Sequence, residues 1–383
     1  MNLTTIESKF IERFSSKPQC FYKAPGRINL IGEHTDYNEG FVLPAAIDKE
    51  IVFAISPNHS DRVRLFTYDF NDYFEFSLQI VKKSSVSWVN YILGVIAQFQ
   101  KNGYALSGFD CVYGGDVPSG AGLSSSAAVE CGLAFALNDL FSFGIDKMTL
   151  AKMAQKAEHE FVGVFCGIMD QFASIFGREG YVVRLDCRSL EYVYFPFDMS
   201  EYKIVLCDTQ VKHSLASSEY NTRRYECEQG VLLLQKHYPF IQSLRDVSIE
   251  ILEKHKEELS TNVFKRCLYV VKENMRVLQA CQALEKGDLK SFGQLMYASH
   301  EGLSKDYQVS CKELDFLVEK AQQRSEVIGS RMMGGGFGGC TINLVKKESV
   351  DSFVEAMSQM YQRELGKTLK TYITTIQDGA KRL

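Results

Sequence analysis

The sequence has one tryptophan and seven prolines in 383 residues, and no Pro/Ser-rich stretch that would read as a linker. It lacks any apolar run approaching the roughly 18 residues that a membrane span requires. The N-terminal MNLTTIESKF carries no signal-peptide pattern, so a soluble, cytoplasmic protein without a membrane partner is expected. A surplus of positive charge is also missing: 43 basic against 47 acidic residues leave −4, which argues against general nucleic-acid binding. The 11 cysteines are an odd number with no C-x-x-C pair, a pattern of reduced thiols and not of a disulfide framework. The histidines form no H-E-x-x-H motif, because Gly163 stands where His159-Glu160 would need the second histidine. No dedicated zinc site is expected.

What the chain does have is glycine, concentrated in APGRINLIGEHTDYNEG (Ala24 to Gly40), GGDVPSGAGLSSSAAVE (Gly114 to Glu130) and MMGGGFGGC (Met332 to Cys340). Such clusters occur where backbone must adopt positive φ or let a ligand approach its N–H groups. In the middle stretch a candidate strand, Phe109 to Tyr113, leads through Gly120, Ala121, Gly122 and Leu123 into an Ala/Leu-rich helix from Ala127 to Leu140. Ser124, Ser125 and Ser126 fall at the junction, as N-cap and first-turn residues. Glycine backbone and hydroxyls at the positive end of a helix make an anion site suited to nucleotide phosphates.

Two familiar phosphate loops are excluded. Gly115 and Gly120 have Walker A spacing, but Ala121 and Gly122 replace the lysine and hydroxyl that must follow. Gly334, Gly336 and Gly339 satisfy the dinucleotide G-x-G-x-x-G pattern, yet the CTINLV run after them alternates like a strand, where that fingerprint opens a helix.

A chain of 383 residues exceeds the size at which single cores stop growing, so two domains are expected, divided near residue 200 into 1–200 and 201–383. Residues 20–75 are rich in strand-like runs, whereas 88–100 and 124–176 read as helices, the second interrupted at Gly163 and Gly167. EGYVVRLD and YKIVLCDT read as strands, residues 220–286 as helical, and the remainder mixes helices with CTINLV and TYITTIQ, an α+β pattern.

GRINLIGEHTDYNEG resembles the signature of galactokinases, and PSGAGLSSSAAVE and MMGGGFGGC resemble motifs of the wider GHMP kinase superfamily; GIMDQF (Gly167 to Phe172) and HSLASSEYNTRR (His213 to Arg224) fit the same family. The resemblance implies a two-domain GHMP kinase fold of the α+β class, ribosomal-protein-S5-like at the N-terminus and ferredoxin-like at the C-terminus. It implies ATP-dependent phosphorylation of galactose at its C1 hydroxyl, feeding galactose catabolism, with Mg2+ as cofactor. Glu33, His34, Thr35, Asp36, Gly167 and Tyr220 would contact the sugar, and Gly120 to Ser126 the nucleotide. Asp170 would be the catalytic carboxylate set against the C1 hydroxyl, with Arg27 holding it ionised and stabilising phosphoryl charge. Ser126 and Glu158 would hold magnesium, and Glu130, four residues past Ser126 on the same helix face, is a rival.

Each of these positions also has a plainer explanation: a solvated turn for Glu33, His34 and Asp36, a helix-surface aspartate for Asp170, a charged patch for Glu158. Trp88 and Tyr91 suit either an adenine pocket or the core of an amphipathic helix. Two alternatives stand beside a galactokinase acting as a monomer. One is a kinase for another sugar, such as N-acetylgalactosamine. The other is a non-catalytic galactose and ATP sensor, against which the complete Ser124–Ala128 stretch argues.

Overall fold

The structure, a computed structural model, describes residues 2–118, 120–211 and 216–383. Helix α1 (Leu3–Phe14) starts at Asn2, whose side chain accepts from the Thr4 N–H. The strand-like stretch that follows forms β1 (Cys20–Asn29), β2 (Phe41–Val42), β3 (Pro44–Pro57), β4 (Arg62–Thr67) and β5 (Asp72–Ser77), and β6 (Phe109–Gly115) joins after α2 (Ser87–Lys101). Alternation sorts the faces of the sheet. In β3, Ile51, Phe53 and Ile55 enter the main core, while Val52 and Ala54 turn to the opposite face and meet Ile6 and Phe10 of α1. The main-core face is covered by α2, α3 (Ser125–Leu140), α4 (Lys147–Ala157) and α5 (Met169–Phe176). Between α4 and α5 the chain makes one π-helical turn, Glu158–Val162, that ends at Gly163 with φ 87°. Strand β7 (Tyr181–Asp186) pairs with β2 on one side and β8 (Tyr192–Pro196) on the other in a small separate sheet.

The second half begins with β9 (Tyr202–Asp208) and continues through α6 (Ala216–Gln235), α7 (Ile249–Lys254), α8 (Thr261–Glu285), α9 (Leu289–Gly302) and α10 (Lys312–Gln322). It closes with β10 (Val327–Met332), β11 (Cys340–Lys346), α11 (Val350–Leu365), β12 (Lys370–Thr374) and β13 (Lys381–Arg382). The sheet β10-β11-β9-β12 is antiparallel throughout, with its second, third, first and fourth strands in that spatial order, the ferredoxin-like arrangement.

The division at residue 200 falls between β8 and β9, but the chain end does not stay with the second half. Tyr22 in β1 pairs with Arg382 in β13, so the first sheet runs β13-β1-β3-β6-β4-β5. Gln377 N donates to Ala46 O at 3.0 Å and Gly379 N to Gly177 O at 2.8 Å, tying the approach to β13 to the same half. A single division of the chain near residue 200 misses a strand of two residues at its end. All 11 cysteines are free, and among the described residues no helix is long and apolar enough to cross a membrane.

Phe10 is fully buried between α1 and the sheet face opposite α3 and α5. Phe10→Ala is expected to cost about 3–5 kcal/mol of stability. Catalytic constants of the folded fraction should stay unchanged, as urea unfolding run beside steady-state assays would show.

Candidate active site

Strand β1 carries a register irregularity between Pro25 and Arg27. Gly26 makes it possible, because a Cβ there would lie 2.6 Å from the Leu123 carbonyl oxygen. The irregularity brings the Arg27 N–H to Leu123 O at 3.1 Å and leaves the guanidinium buried, 4% exposed. Its Nε and Nη2 donate to Asp170 Oδ1 and Oδ2 at 2.7 and 2.9 Å, and Nη1 donates to Gly122 O at 2.5 Å. Asp170 sits in the first turn of α5, where the helix dipole favours a carboxylate, and the Ser174 hydroxyl fastens that helix to Pro25 O at 2.8 Å.

The second glycine loop lies over this pair. Gly120 and Gly122 have φ of 78° and 75°, and a Cβ on Gly334 of the third motif would sit 3.4 Å from Gly122 Cα, so the two loops touch backbone to backbone. Ala121 and Leu123 are each 1% exposed, their side chains sealed in the core, which leaves only their backbone for a ligand. Ser124 departs from expectation. It occupies the N-cap position of α3 in left-handed conformation (φ 58°, ψ 52°) without a side-chain cap, and its hydroxyl donates to Asp170 Oδ2 at 2.5 Å. The Ser124 hydroxyl acts as a donor to the carboxylate, a charge-assisted bond, and not as an acceptor for the helix N–H groups. Ser125 opens α3, and Ser126 follows beside Glu158.

The first motif folds into a loop held from behind by α8. Glu273 is fully buried; its Oε1 accepts from Gly32 N at 2.9 Å and from the Ser299 hydroxyl at 2.6 Å, and Asn274 Oδ1 accepts from Phe41 N at 2.9 Å. Glu33 Oε1 meets Arg331 Nη2 at 2.7 Å and accepts from Gly334 N at 2.8 Å, joining the first motif to the third. His34 has φ 62°, and its Nδ1 lies 2.7 Å from the Tyr37 hydroxyl. Burial, with Arg223 nearby, pushes its pKa down to about 3 and keeps the ring neutral. Its Nε2 is buried and has no hydrogen-bond partner among the described residues. Tyr220, at the start of α6, places its ring 5.3 Å from those of His34 and Tyr37. The His213–Leu215 part of the HSLASSEYNTRR segment lies outside the described residues.

Two positions expected at the sugar also serve the loop itself. Thr35 is fully buried and its hydroxyl donates to Gly32 O at 2.8 Å and Phe41 O at 2.6 Å, closing the loop on itself. Gly167 makes room for a side chain, since a Cβ there would lie 2.0 Å from Asp36 Oδ2. Trp88 donates Nε1 to Asp72 Oδ2 at 2.9 Å and packs edge-on against Phe74. Tyr91 is raised to about 12 by burial and then by the charges of Glu158 and Glu130; neither aromatic lines the cavity.

These elements enclose a cavity of about 130 Å³, lined among others by Arg27, Glu33, His34, Asp36, Glu158, Asp170 and Tyr220. A wider groove of about 970 Å³ between α9, α10 and β10 contains none of the residues expected in the site. Inside the cavity, negative charge is in surplus. Asp36 is pushed up to about 7 by burial and then by Asp170, and Glu158 likewise to about 7, with partial relief from Cys166, Ser126 and Gln171. Gln171 Nε2 donates to Glu158 Oε2 at 2.9 Å and to Glu130 Oε2 at 3.3 Å. Glu130 is fully buried behind them, raised by burial and by Glu158. Sequence reasoning missed Gln171, Arg331, Glu273 and Asn274. Arg331 alone left a signal, as a single charge in the run directly before the third motif.

The family model for the GHMP kinases N terminal domain matches residues 90–178, and that for the GHMP kinases C terminal matches 280–363, so fold and site define a GHMP kinase. The galactokinase galactose-binding signature matches residues 8–57. The galactokinase of a Roseiflexus species is 44% identical over 378 residues, covering 99% of this chain and 96% of that protein. That of Thermotoga petrophila is 44% identical over 361 residues, covering 94% and 99%. A crystal structure of Lactococcus lactis galactokinase complexed with galactose superposes with a TM-score of 0.96 at 36% identity, covering both chains in full. The chain belongs to the galactokinase family. The Methanococcus jannaschii mevalonate kinase, 17% identical with a TM-score of 0.67 over 94% of this chain and 98% of its own, shares the fold.

The raised Asp36 has a consequence for stability. Its folded value of about 7 lies above the ordinary 3.8, so between those pH values the folded chain keeps a proton that the unfolded chain has lost. Asp36 therefore opposes folding increasingly as pH rises from about 4 to about 7. In the absence of ligands, Asp36→Asn should be more stable than the parent at pH 8, and the gap should shrink towards pH 4. Urea midpoints across that range measure it; a gap independent of pH contradicts the assignment.

Proposed function

We propose that the chain transfers the γ-phosphoryl group of ATP to the C1 hydroxyl of α-D-galactose, giving α-D-galactose 1-phosphate and ADP. The observation that carries this reading is the contact of Asp170 with Arg27 and Ser124 in a polar cavity, at 2.7, 2.9 and 2.5 Å. A carboxylate offers about four acceptor sites. Oδ2 is filled by Arg27 Nη2 and Ser124, whereas Oδ1 has one donor and keeps a lone pair for the substrate hydroxyl. Asp170, its side chain 25% exposed, orients that hydroxyl and takes its proton, while Arg27 fixes the carboxylate through a two-point ion pair and offsets charge on the transferring group. Phosphoryl transfer asks mainly for such positioning and electrostatics.

Asp36, the unpartnered Nε2 of His34, Tyr220 and the second oxygen of Glu33 supply directional partners for the other sugar hydroxyls. Backbone from Gly120 to Leu123 and the positive end of α3 take the nucleotide phosphates. The donor set suits magnesium: the Ser126 hydroxyl and the Glu158 carboxylate are hard oxygen ligands, and Glu158 is pushed up to about 7 by burial and then by Asp170, a cost that a divalent cation would relieve. Bound there, Mg2+ would neutralise phosphate charge that no lysine of a Walker loop covers.

Asp170→Asn is expected to lower kcat on the order of 10²–10⁴-fold, with circular dichroism and ATP binding unchanged. Galactose, 2-deoxygalactose, N-acetylgalactosamine, arabinose and glucose should be compared in the same assay; retention of more than about a third of kcat removes Asp170 from this role.

Glu158→Gln should move the dependence of activity on free Mg2+ to higher concentration at fixed ATP, and Glu130→Gln much less. A larger shift in Glu130→Gln would transfer the metal to α3.

A further inference from the structure

Away from the cavity, two histidines and a glutamate from separate segments converge. His237 lies just beyond the end of α6, His255 caps α7, and Glu258 ends the short turn Lys256–Glu258 before α8. His237 Nε2 is 2.8 Å from Glu258 Oε2, and His255 Nδ1 is 2.7 Å from Glu258 Oε1. The two imidazoles stack with centroids 4.2 Å apart and 30° between their planes, and the three ligand atoms lie within 4.8 Å of one another. His255 is buried, 7% exposed, while the side chains of His237 and Glu258 are 38% and 47% exposed, so one side of the group is open to water.

We infer that this group binds one borderline divalent transition-metal ion of the zinc type, through His237 Nε2, His255 Nδ1, the Glu258 carboxylate and water. Two imidazoles and one carboxylate select such an ion over magnesium, which prefers oxygen ligands alone. The present N–O separations are those of hydrogen bonds. Bond lengths of about 2.0–2.2 Å in a tetrahedral shell set neighbouring ligand atoms roughly 3.3 Å apart. The half ångström of widening falls to His237 and Glu258, whose side chains are 38% and 47% exposed. The ion takes the place of the proton on each coordinating nitrogen, and that proton moves to the other nitrogen of the same ring. For His255 this puts an N–H at Nε2, which lies 3.3 Å from the Tyr238 hydroxyl. Such an outer acceptor fixes the tautomer of a metal-bound histidine. The site falls outside the H-E-x-x-H pattern because its ligands are gathered by the fold. It would pin the far end of α6, whose start carries Tyr220, to the connection leading into α8, which carries Glu273 and Asn274.

The test titrates the full chain, stripped with EDTA and held in excess MgCl2, with ZnCl2 by calorimetry, and with Co2+ by visible absorption. His237→Asn and Glu258→Gln alter exposed side chains and spare the fold. One equivalent of Zn2+ should bind the parent, and each variant should bind it on the order of 10-fold or more weakly. Galactose phosphorylation by both variants should be unchanged. Equal Zn2+ affinity in parent and variants, no Zn2+ binding by the parent, or a thiolate charge-transfer band in the Co2+ spectrum would each overturn the inference.

Discussion

One buried guanidinium sets the geometry of this molecule. Arg27 divides its donors between Asp170 on α5 and the Gly122 carbonyl of the phosphate loop, at 2.7, 2.9 and 2.5 Å. Taking a charge out of water is costly, and the cost is offset only when every partner is in place; removing one partner of such a pair typically costs about 3–5 kcal/mol. The position of Arg27 depends in turn on Gly26, whose missing Cβ lets Leu123 O approach β1. A backbone irregularity, a helix start and a glycine loop are therefore locked to one another before any ligand arrives. This preorganisation is what an electrostatic mechanism requires.

The second constraint is of opposite sign. Asp36, Glu158 and Asp170 share one cavity, and the first two are pushed up to about 7 by burial and by Asp170. Without ligands the site stores unfavourable charge, which the sugar and the divalent cation we propose there would relieve. Stability is given up locally for function, a common trade at active sites. Glu130 belongs to the same account from behind: fully buried, raised by burial and Glu158, and linked through Gln171, it tightens the charge balance without reaching the cavity wall.

Much of the site was legible because glycine and charge leave local signals. The three glycine motifs, Arg27, Asp170, Asp36 and Glu158 can be picked out from short stretches, and the structure gathers them in one place. What was not legible depends on partners far along the chain. Ser124 fits the composition of an N-cap, yet its hydroxyl goes to a carboxylate 46 residues away. Thr35 stands inside the signature but closes its own loop through Gly32 and Phe41. Glu273 and Asn274 hold that loop from 241 and 233 residues off, on a helix whose sequence reads simply as amphipathic. Likewise β13 is two residues long, too short for any period to show, and still ends the first sheet.

The residues we propose for chemistry and those we propose for sugar contact are held by separate parts of the fold. Arg27, Asp170 and Ser124 stand on β1, α5 and the phosphate loop, all within the first half, where alternation and helix packing fix the backbone. Glu33, His34 and Asp36, which we propose face the sugar, stand on a loop suspended from α8 in the second half, through Glu273, Asn274 and the Tyr269 hydroxyl, which donates to Glu33 O at 3.0 Å. A mevalonate kinase with 17% identity keeps the same fold, so the scaffold tolerates wide change in what the loops carry. Substitutions in the α8 supports would shift the sugar loop as a body relative to a reaction centre that stays locked by Arg27. Their effect should fall on KM for the sugar before kcat, because the interactions made in the transition state are anchored elsewhere.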